Sequence, residues 1–311
     1  IKVLIETGEE VGSIGLREFC EVNKDRLSAD VFIASDGPRI APARPTVFMG
    51  SRGAFNFTMS VDLREGGHHS GNWGGLLANP GIMLAHAIAA ITSSTGEIKV
   101  PQWRLDEIPG SVRTVLGELT IDQDENSPDI DSHWGEPGLT PPEQVFGWNS
   151  FEVLAFETGN PQSPANAIPP KAFAHCQVRF VVPTDPEQLL PALREFLDEE
   201  GFSDVDLSTQ GKAARATRLA PDHPWVKWVI ASIKATTGKE VAVIPNLGGT
   251  LPNDVFAEIL GLPTIWVPHS YSGCSQHAAD EHLLGSVGRE ALQIMTGIWW
   301  DLGEMELPVG H

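Results

Sequence analysis

At 311 residues the chain can hold one large or two ordinary domains, and 41% apolar with 20% charged residues is a soluble globular composition. A formal net charge of −20 argues against nucleic acid as a partner, because phosphate binding needs a positive field. No apolar run approaches the roughly 20 residues that span a bilayer, and Cys20, Cys176 and Cys274 are too sparse for a disulfide framework, so a reducing cytoplasm with no membrane partner is expected.

The chain opens Ile1-Lys2-Val3-Leu4-Ile5-Glu6, without an initiator Met and without the apolar stretch and cleavage site of a signal peptide. Lys2–Ile5 reads as a buried strand; since termini usually lie at the surface, a chain beginning inside a core strand is expected to be a piece of something longer. A helix follows at about Ile14–Lys24, then a strand at Val31–Ala34 and an exit through Pro38, Pro42 and Pro45. Alternation of strand and helix predicts a parallel, doubly wound sheet.

The order then changes. Ala54–Asp62 alternates as a strand, Pro80–Ile91 reads as a helix, and strands follow at Phe151–Glu157 and Ala172–Val181. A helix at Pro186–Glu200, with Pro186 early and Gly201 just past its end, precedes a strand at Asp204–Ser208. The order β-α-β-β-α-β is that of a split βαβ, ferredoxin-like unit. A long acidic insertion, roughly Gly96–Ser150, interrupts it, with the run Asp122–Asp129 and partial helix around Gly110–Leu119; a connection of that length is expected to be a functional loop or partner surface. After Gly211 the first pattern resumes: helix His223–Thr236, strand Val241–Ile244, a helix after Pro252, strand Thr264–Val267 and helix Gly285–Leu302. The expected architecture is an α/β domain (1–45 and 212–311) interrupted by an inserted α+β domain (46–211).

Glu9-Glu10 follows the opening strand, and Ser35-Asp36-Gly37 follows the strand at Val31–Ala34. Ligands of open α/β sheets sit beyond the carboxyl ends of the strands, and adjacent carboxylates there need a cation or a shared proton. Taken alone, Glu-Glu is also a common surface pair and Asp-Gly a common turn. His68-His69-Ser70-Gly71-Asn72-Trp73-Gly74-Gly75 could stabilise an oxyanion, bind a metal or be a polar loop. Gly-x-Ser-x-Gly is absent, which removes the serine-hydrolase reading. His277, in Cys274-Ser275-Gln276-His277-Ala278-Ala279-Asp280-Glu281, follows the last predicted strand; neutral imidazole is the commonest zinc ligand, and Cys274 has no second Cys beside it to make a thiol site.

Together these motifs, with Asn166-Ala167-Ile168-Pro169, a strand ending at Arg179 and Gly248-Gly249-Thr250-Leu251-Pro252, resemble the M20 metallopeptidases over the whole chain, with the insertion most like the carnosinase-like dipeptidase branch. The resemblance implies an incomplete doubly wound zinc-peptidase domain, lacking its N-terminal portion, and a ferredoxin-like lid or dimerisation domain. It implies Glu9 as general base, Glu10 and His277 on one metal, Asp36 on the other, and His69 as the oxyanion group, often supplied by the partner subunit. Asn166, Arg179 and the Gly248–Gly249–Thr250 loop would hold the substrate's carbonyl or carboxylate. Two Zn²⁺ are implied, with Mn²⁺ or Co²⁺ as alternatives. The expected substrate is a dipeptide, or an N-acyl amino acid in the deacylase alternative, hydrolysed by a homodimer formed through the inserted domain.

The family pattern also needs an earlier His-x-Asp, and none of the ten His is followed by x-Asp. This chain alone is therefore expected to bind zinc poorly and to be inactive, and a non-catalytic dimerisation or peptide-binding remnant is the reading from another class.

Overall fold

The computed structural model describes residues 1–121, 128–209, 211 and 213–308. The core of the acidic run (122–127), residue 212 at the expected second boundary and the last three residues lie outside the described residues. After eight residues without regular structure the chain forms α1 (Leu16–Val22), α2 (Lys24–Leu27), β1 (Phe32–Ala34), β2 (Pro38–Arg39), β3 (Thr46–Phe48) and β4 (Gly53–Asp62). It continues with β5 (His68–His69), α3 (Ser70–Trp73), α4 (Pro80–Ile91), α5 (Gly110–Leu116), α6 (Pro141–Gly147), β6 (Ser150–Thr158), β7 (Ala167–Ile168) and β8 (Lys171–Phe180). The remainder is α7 (Pro186–Glu199), β9 (Asp206–Thr209), α8 (Pro224–Thr237), β10 (Ala242–Ile244), β11 (Thr264–Trp266), β12 (Ser270–Tyr271) and α9 (Gly285–Glu304).

One sheet has the order β1-β11-β3-β10. Its strands are short apolar runs because both faces are covered. Val47, Met49, Ile265 and Val267 pack under α8 and α9 with Trp225, Val229, Ile294 and Ile298. The intervening Phe48, Ile244 and Trp266 face the opposite layer, where α1, α5 and α6 contribute Leu16, Val112, Leu116 and Phe146. The sheet is mixed rather than wholly parallel as expected: β1 and β11 are parallel, as are β3 and β10, but β11 meets β3 antiparallel at Trp266 and Phe48.

The other sheet, β6-β8-β4-β9, is antiparallel throughout and has the strand order of the expected ferredoxin-like unit. Alternation along β4 sends Phe57, Met59 and Val61 to one face, where Leu84 and Ile91 of α4 and Leu189 and Leu193 of α7 close the core. The opposite face is polar, with Gln177 Nε2 donating to Asn56 Oδ1 at 2.8 Å and Thr58 bonded to His175 at 3.0 Å. Residues 53–209, which carry this sheet, lie in sequence between β3 and β10 of the first.

Three further expectations need correction. Lys2–Ile5 is not a strand: no neighbouring strand shares a ladder with it, and Ile1, Val3 and Ile5 are exposed. Residue 46 is not where the first sheet ends, because β3 pairs with β10 and β11, and α5 and α6 of the insertion also pack on that sheet's body. The helix expected after Pro252 is a single π-helical turn, Val255–Ile259.

Candidate metal and substrate site

The sequence-predicted residues fall into three groups. The first lies beyond the first sheet. Glu9 and Glu10 sit in a short 3-10 turn closed by Gly12, whose positive φ of 87° lets its N–H reach Glu9 O at 2.8 Å. Asp36 follows the carboxyl end of β1, and its Oδ1 accepts the Gly37 N–H at 2.5 Å. Gly37 needs its positive φ of 78°, and a Cβ there would press on the Phe48 ring at 3.1 Å. His277 lies in the loop after β12, where its Nε2 contacts Glu10 Oε2 at 2.9 Å. That loop holds three non-glycine residues, Ser275, His277 and Asp280, at positive φ. Such strain persists only where surroundings impose it, and it concentrates at functional sites. Tyr271 Oη bonded to His282 at 3.1 Å and His282 N–H on Cys274 O at 3.0 Å brace the loop.

These side chains share one electrostatic neighbourhood. Burial, then the charges of Asp36, Glu10 and Glu6, push the Glu9 carboxyl above its ordinary range, with His277 pulling the other way. A carboxylate raised in this manner holds a proton more strongly than a free one, as a general base must.

The second group is His69 with Asn166. β5 pairs with β7, placing His69 opposite Ala167, and Asn166 O accepts both the Ser70 N–H at 2.9 Å and the Ser70 hydroxyl at 3.1 Å. His69 Nδ1 accepts the Gly71 N–H at 3.1 Å, so the neutral ring carries its proton on Nε2. That leaves Nε2–H free to donate. His69 is exposed, and among the described residues no hydrogen bond or ion pair joins it to either other group.

The third group joins the two sheets. Arg179, near the end of β8, donates through Nη1 to Thr250 Oγ1 at 2.7 Å and through Nε to Gln177 Oε1 at 2.9 Å. Gly248 and Gly249 precede Thr250 in the same loop, and a Cβ on Gly248 would meet Val145 at 3.0 Å. Sequence reasoning missed Arg52, whose Nε donates to Gly248 O at 2.8 Å and whose carbonyl accepts from Thr250 Oγ1 at 2.9 Å. Its one sequence signal is the alternation Arg52, Ala54, Asn56, which continues the polar face of β4 one residue before the strand begins.

A family profile described as the peptidase dimerisation domain of M20 matches residues 49–205, half of the chain. The chain belongs to the M20 peptidase family. It is 24% identical over 299 residues to the Beta-Ala-His dipeptidase of Homo sapiens, covering 91% of this chain and 58% of that protein. It is also 24% identical over 270 residues to the Cysteinylglycine-S-conjugate dipeptidase of Corynebacterium striatum, covering 81% of this chain and 55% of that one. This M20 chain thus spans little more than half the length of these two relatives. Its fold is similar to that of an M20 metallo-carboxypeptidase from Sulfolobus solfataricus, with a TM-score of 0.76, 23% identity, and coverage of 93% of this chain and 67% of the other. It is likewise similar to human carnosine dipeptidase 1, with a TM-score of 0.71 and 20% identity, covering 96% and 64% of the two chains.

The family implies metal, and the donors here fit in part. Glu10 and His277 offer one oxygen and one imidazole nitrogen, both suited to zinc. Among the described residues, however, no three His, Cys, Asp or Glu side chains converge around a possible ion. An ordinary catalytic zinc has three protein ligands. The described residues therefore do not complete a metal site.

Proposed function

We propose that this chain contributes the general base, part of the metal donors and the substrate-carboxylate subsite of an amide or peptide hydrolase acting on small substrates. The observation that carries the reading is the convergence of Glu9, Glu10, Asp36 and His277, from three segments far apart in sequence, into one acidic neighbourhood holding an imidazole.

Glu9, with its raised proton affinity, takes the proton of the attacking water and delivers it to the leaving amine nitrogen. The Nε2–H of His69 is the donor for the developing oxyanion, and the side chain of Asn166 beside it fixes the scissile carbonyl. Arg179, held by Thr250, presents its guanidinium to a terminal carboxylate, a match that suits a planar fork of donors. Zn²⁺, Mn²⁺ and Co²⁺ all suit carboxylate and imidazole donors, and a bound ion would supply Lewis-acid polarisation.

Dipeptides are the preferred substrates, because the curated relatives are dipeptidases; N-acyl amino acids share the terminal carboxylate and are the alternative. The isolation of His69 and Asn166 from the other two groups supports their serving a partner subunit's site, and the family's dimerisation domain supports a homodimer. No described helix is long and apolar enough to cross a membrane. Three free, buried cysteines support a reducing compartment, the cytoplasm. The incomplete donor set favours one further reading, that the chain is a dimerisation or peptide-binding unit without turnover of its own.

Zinc titration by calorimetry tests the division of roles. Glu10→Ala and His277→Ala are each expected to weaken zinc binding roughly tenfold or more, whereas Glu9→Gln leaves it near the parent value. Equal weakening by all three variants would overturn the assignment.

A further inference from the structure

The loop that carries Thr250 is held along its length by the segment that precedes β4. Leu247 N–H donates to Gly50 O at 2.8 Å, and Arg52 N–H donates to Leu247 O at 2.9 Å. Ser51 Oγ reaches Leu251 O at 3.3 Å. Arg52 adds two contacts on either side of Gly249: its Nε–H on Gly248 O, and its carbonyl under the Thr250 hydroxyl.

The second of these contacts decides how Thr250 meets Arg179. A hydroxyl has one proton and two lone pairs. Here the proton is spent on Arg52 O, so Oγ1 turns a lone pair to Arg179 Nη1. With Nε held by Gln177, the Arg179 guanidinium is fixed at two of its three nitrogens, and Nη2 has no hydrogen-bond partner among the described residues. Arg52 thus acts on Arg179 through the loop.

Charge points the same way. Burial, then the positive charge of Arg179, lowers the Arg52 guanidinium to about 10, with Glu152 opposing. In a chain of net charge −20, two guanidiniums beside a glycine-rich loop give this place local positive charge, offset in part by the Glu152 carboxylate. Gly248 lies in the same neighbourhood: a Cβ there would meet Arg52 Nη2 at an ordinary contact distance of 3.9 Å, and its tight neighbour is Val145 at 3.0 Å.

We propose that Arg52 is a positioning residue of the substrate-carboxylate subsite, locking the Gly248–Gly249–Thr250 loop so that Thr250 and Arg179 meet a carboxylate in one fixed geometry. This rests on the reading that Arg179 and Thr250 hold the substrate's terminal carboxylate.

The test compares the affinity of the full chain for β-alanyl-histidine with its affinity for the C-terminal amide of the same dipeptide, for the parent, Arg179→Gln, Arg52→Gln and Arg52→Lys. The parent is expected to prefer the acid roughly tenfold or more, a ratio that charge-assisted contacts supply. Arg179→Gln brings the ratio to about one, and Arg52→Gln lowers it severalfold although Arg179 and Thr250 are both present. Arg52→Lys keeps the charge but loses the Nε–H on Gly248 O, so it falls with Arg52→Gln. A parent that does not distinguish acid from amide defeats the carboxylate reading itself. A parent ratio retained in Arg52→Gln, while Arg179→Gln abolishes it, defeats only the role of Arg52. Full recovery in Arg52→Lys makes Arg52 a source of field and overturns positioning. Amide hydrogen exchange at Leu247, whose N–H donates to Gly50 O, is a second readout if Arg52→Gln folds poorly: in Arg52→Lys it should lose protection while α4 and α7 keep theirs, and unchanged protection there contradicts the lock.

Discussion

Residues that staple the fold must be separated from those that serve the site, and Arg39 shows how. Its side chain is wholly buried, donating to Glu290 Oε2 at 2.5 Å and to Pro268 O at 3.1 Å, and so ties β2 to α9. Burial pushes the Glu290 carboxyl up, but hydrogen bonds and charge from Lys239 and Arg39 outweigh it and hold the group below its ordinary value of 4.5. A depressed carboxyl contributes stability that is present above its unfolded value and lost as pH falls through the folded one. Glu290→Gln leaves the Arg39 charge buried without its carboxylate and is expected to cost about 3–5 kcal/mol near neutrality. The check is thermal unfolding of parent and variant from neutral to acid pH. Their melting temperatures should converge as pH drops below 4.5, and a constant gap would refute the linkage. The site residues differ in how far the sequence revealed them. Glu9, Glu10, Asp36 and His277 were legible because each sits in a short motif. Arg52 was not, because its role depends on a loop 196 residues away that only the fold brings alongside.

Among the elements, β6 has the clearest unmet requirement. It is the edge of its sheet, so among the described residues one row of its N–H and C=O groups has no partner strand, and Val153, Leu154 and Phe156 are exposed on it. Ile82, on the adjoining helix α4, is also exposed. An apolar edge strand invites a second strand, and a copy of itself across a two-fold axis satisfies both edges at once. Light scattering is expected to show a dimer for the parent and a monomer for Leu154→Lys with Phe156→Lys; a dimer unchanged by both substitutions would place the interface elsewhere. Local signals explain which elements were legible. α4 was found to the residue because Pro80 opens it behind Asn79, whose Oδ1 accepts from Gly81 and Ile82. β3 was missed because three apolar residues between Pro45 and Gly50 carry no period, and its pairing with β10 is set almost 200 residues downstream. Lys2–Ile5 failed for the opposite reason: it has strand composition but no strand beside it.

For the whole molecule, two sheets are joined through the Arg52–Thr250–Arg179 contacts, and an acidic cluster with one imidazole lies beyond the carboxyl end of β1. The order of elements made this architecture legible, but the mixed pairing of the first sheet and the return of α5 and α6 to its face depended on long-range packing. The central claim is that this chain supplies Glu10 and His277 to a metal centre whose remaining donors are not among the described residues. Zinc content by elemental analysis, with β-alanyl-histidine hydrolysis followed on the same purified sample, tests it most directly. The account predicts well under one zinc per chain and no hydrolysis; stoichiometric zinc with sustained, chelator-sensitive hydrolysis would contradict it.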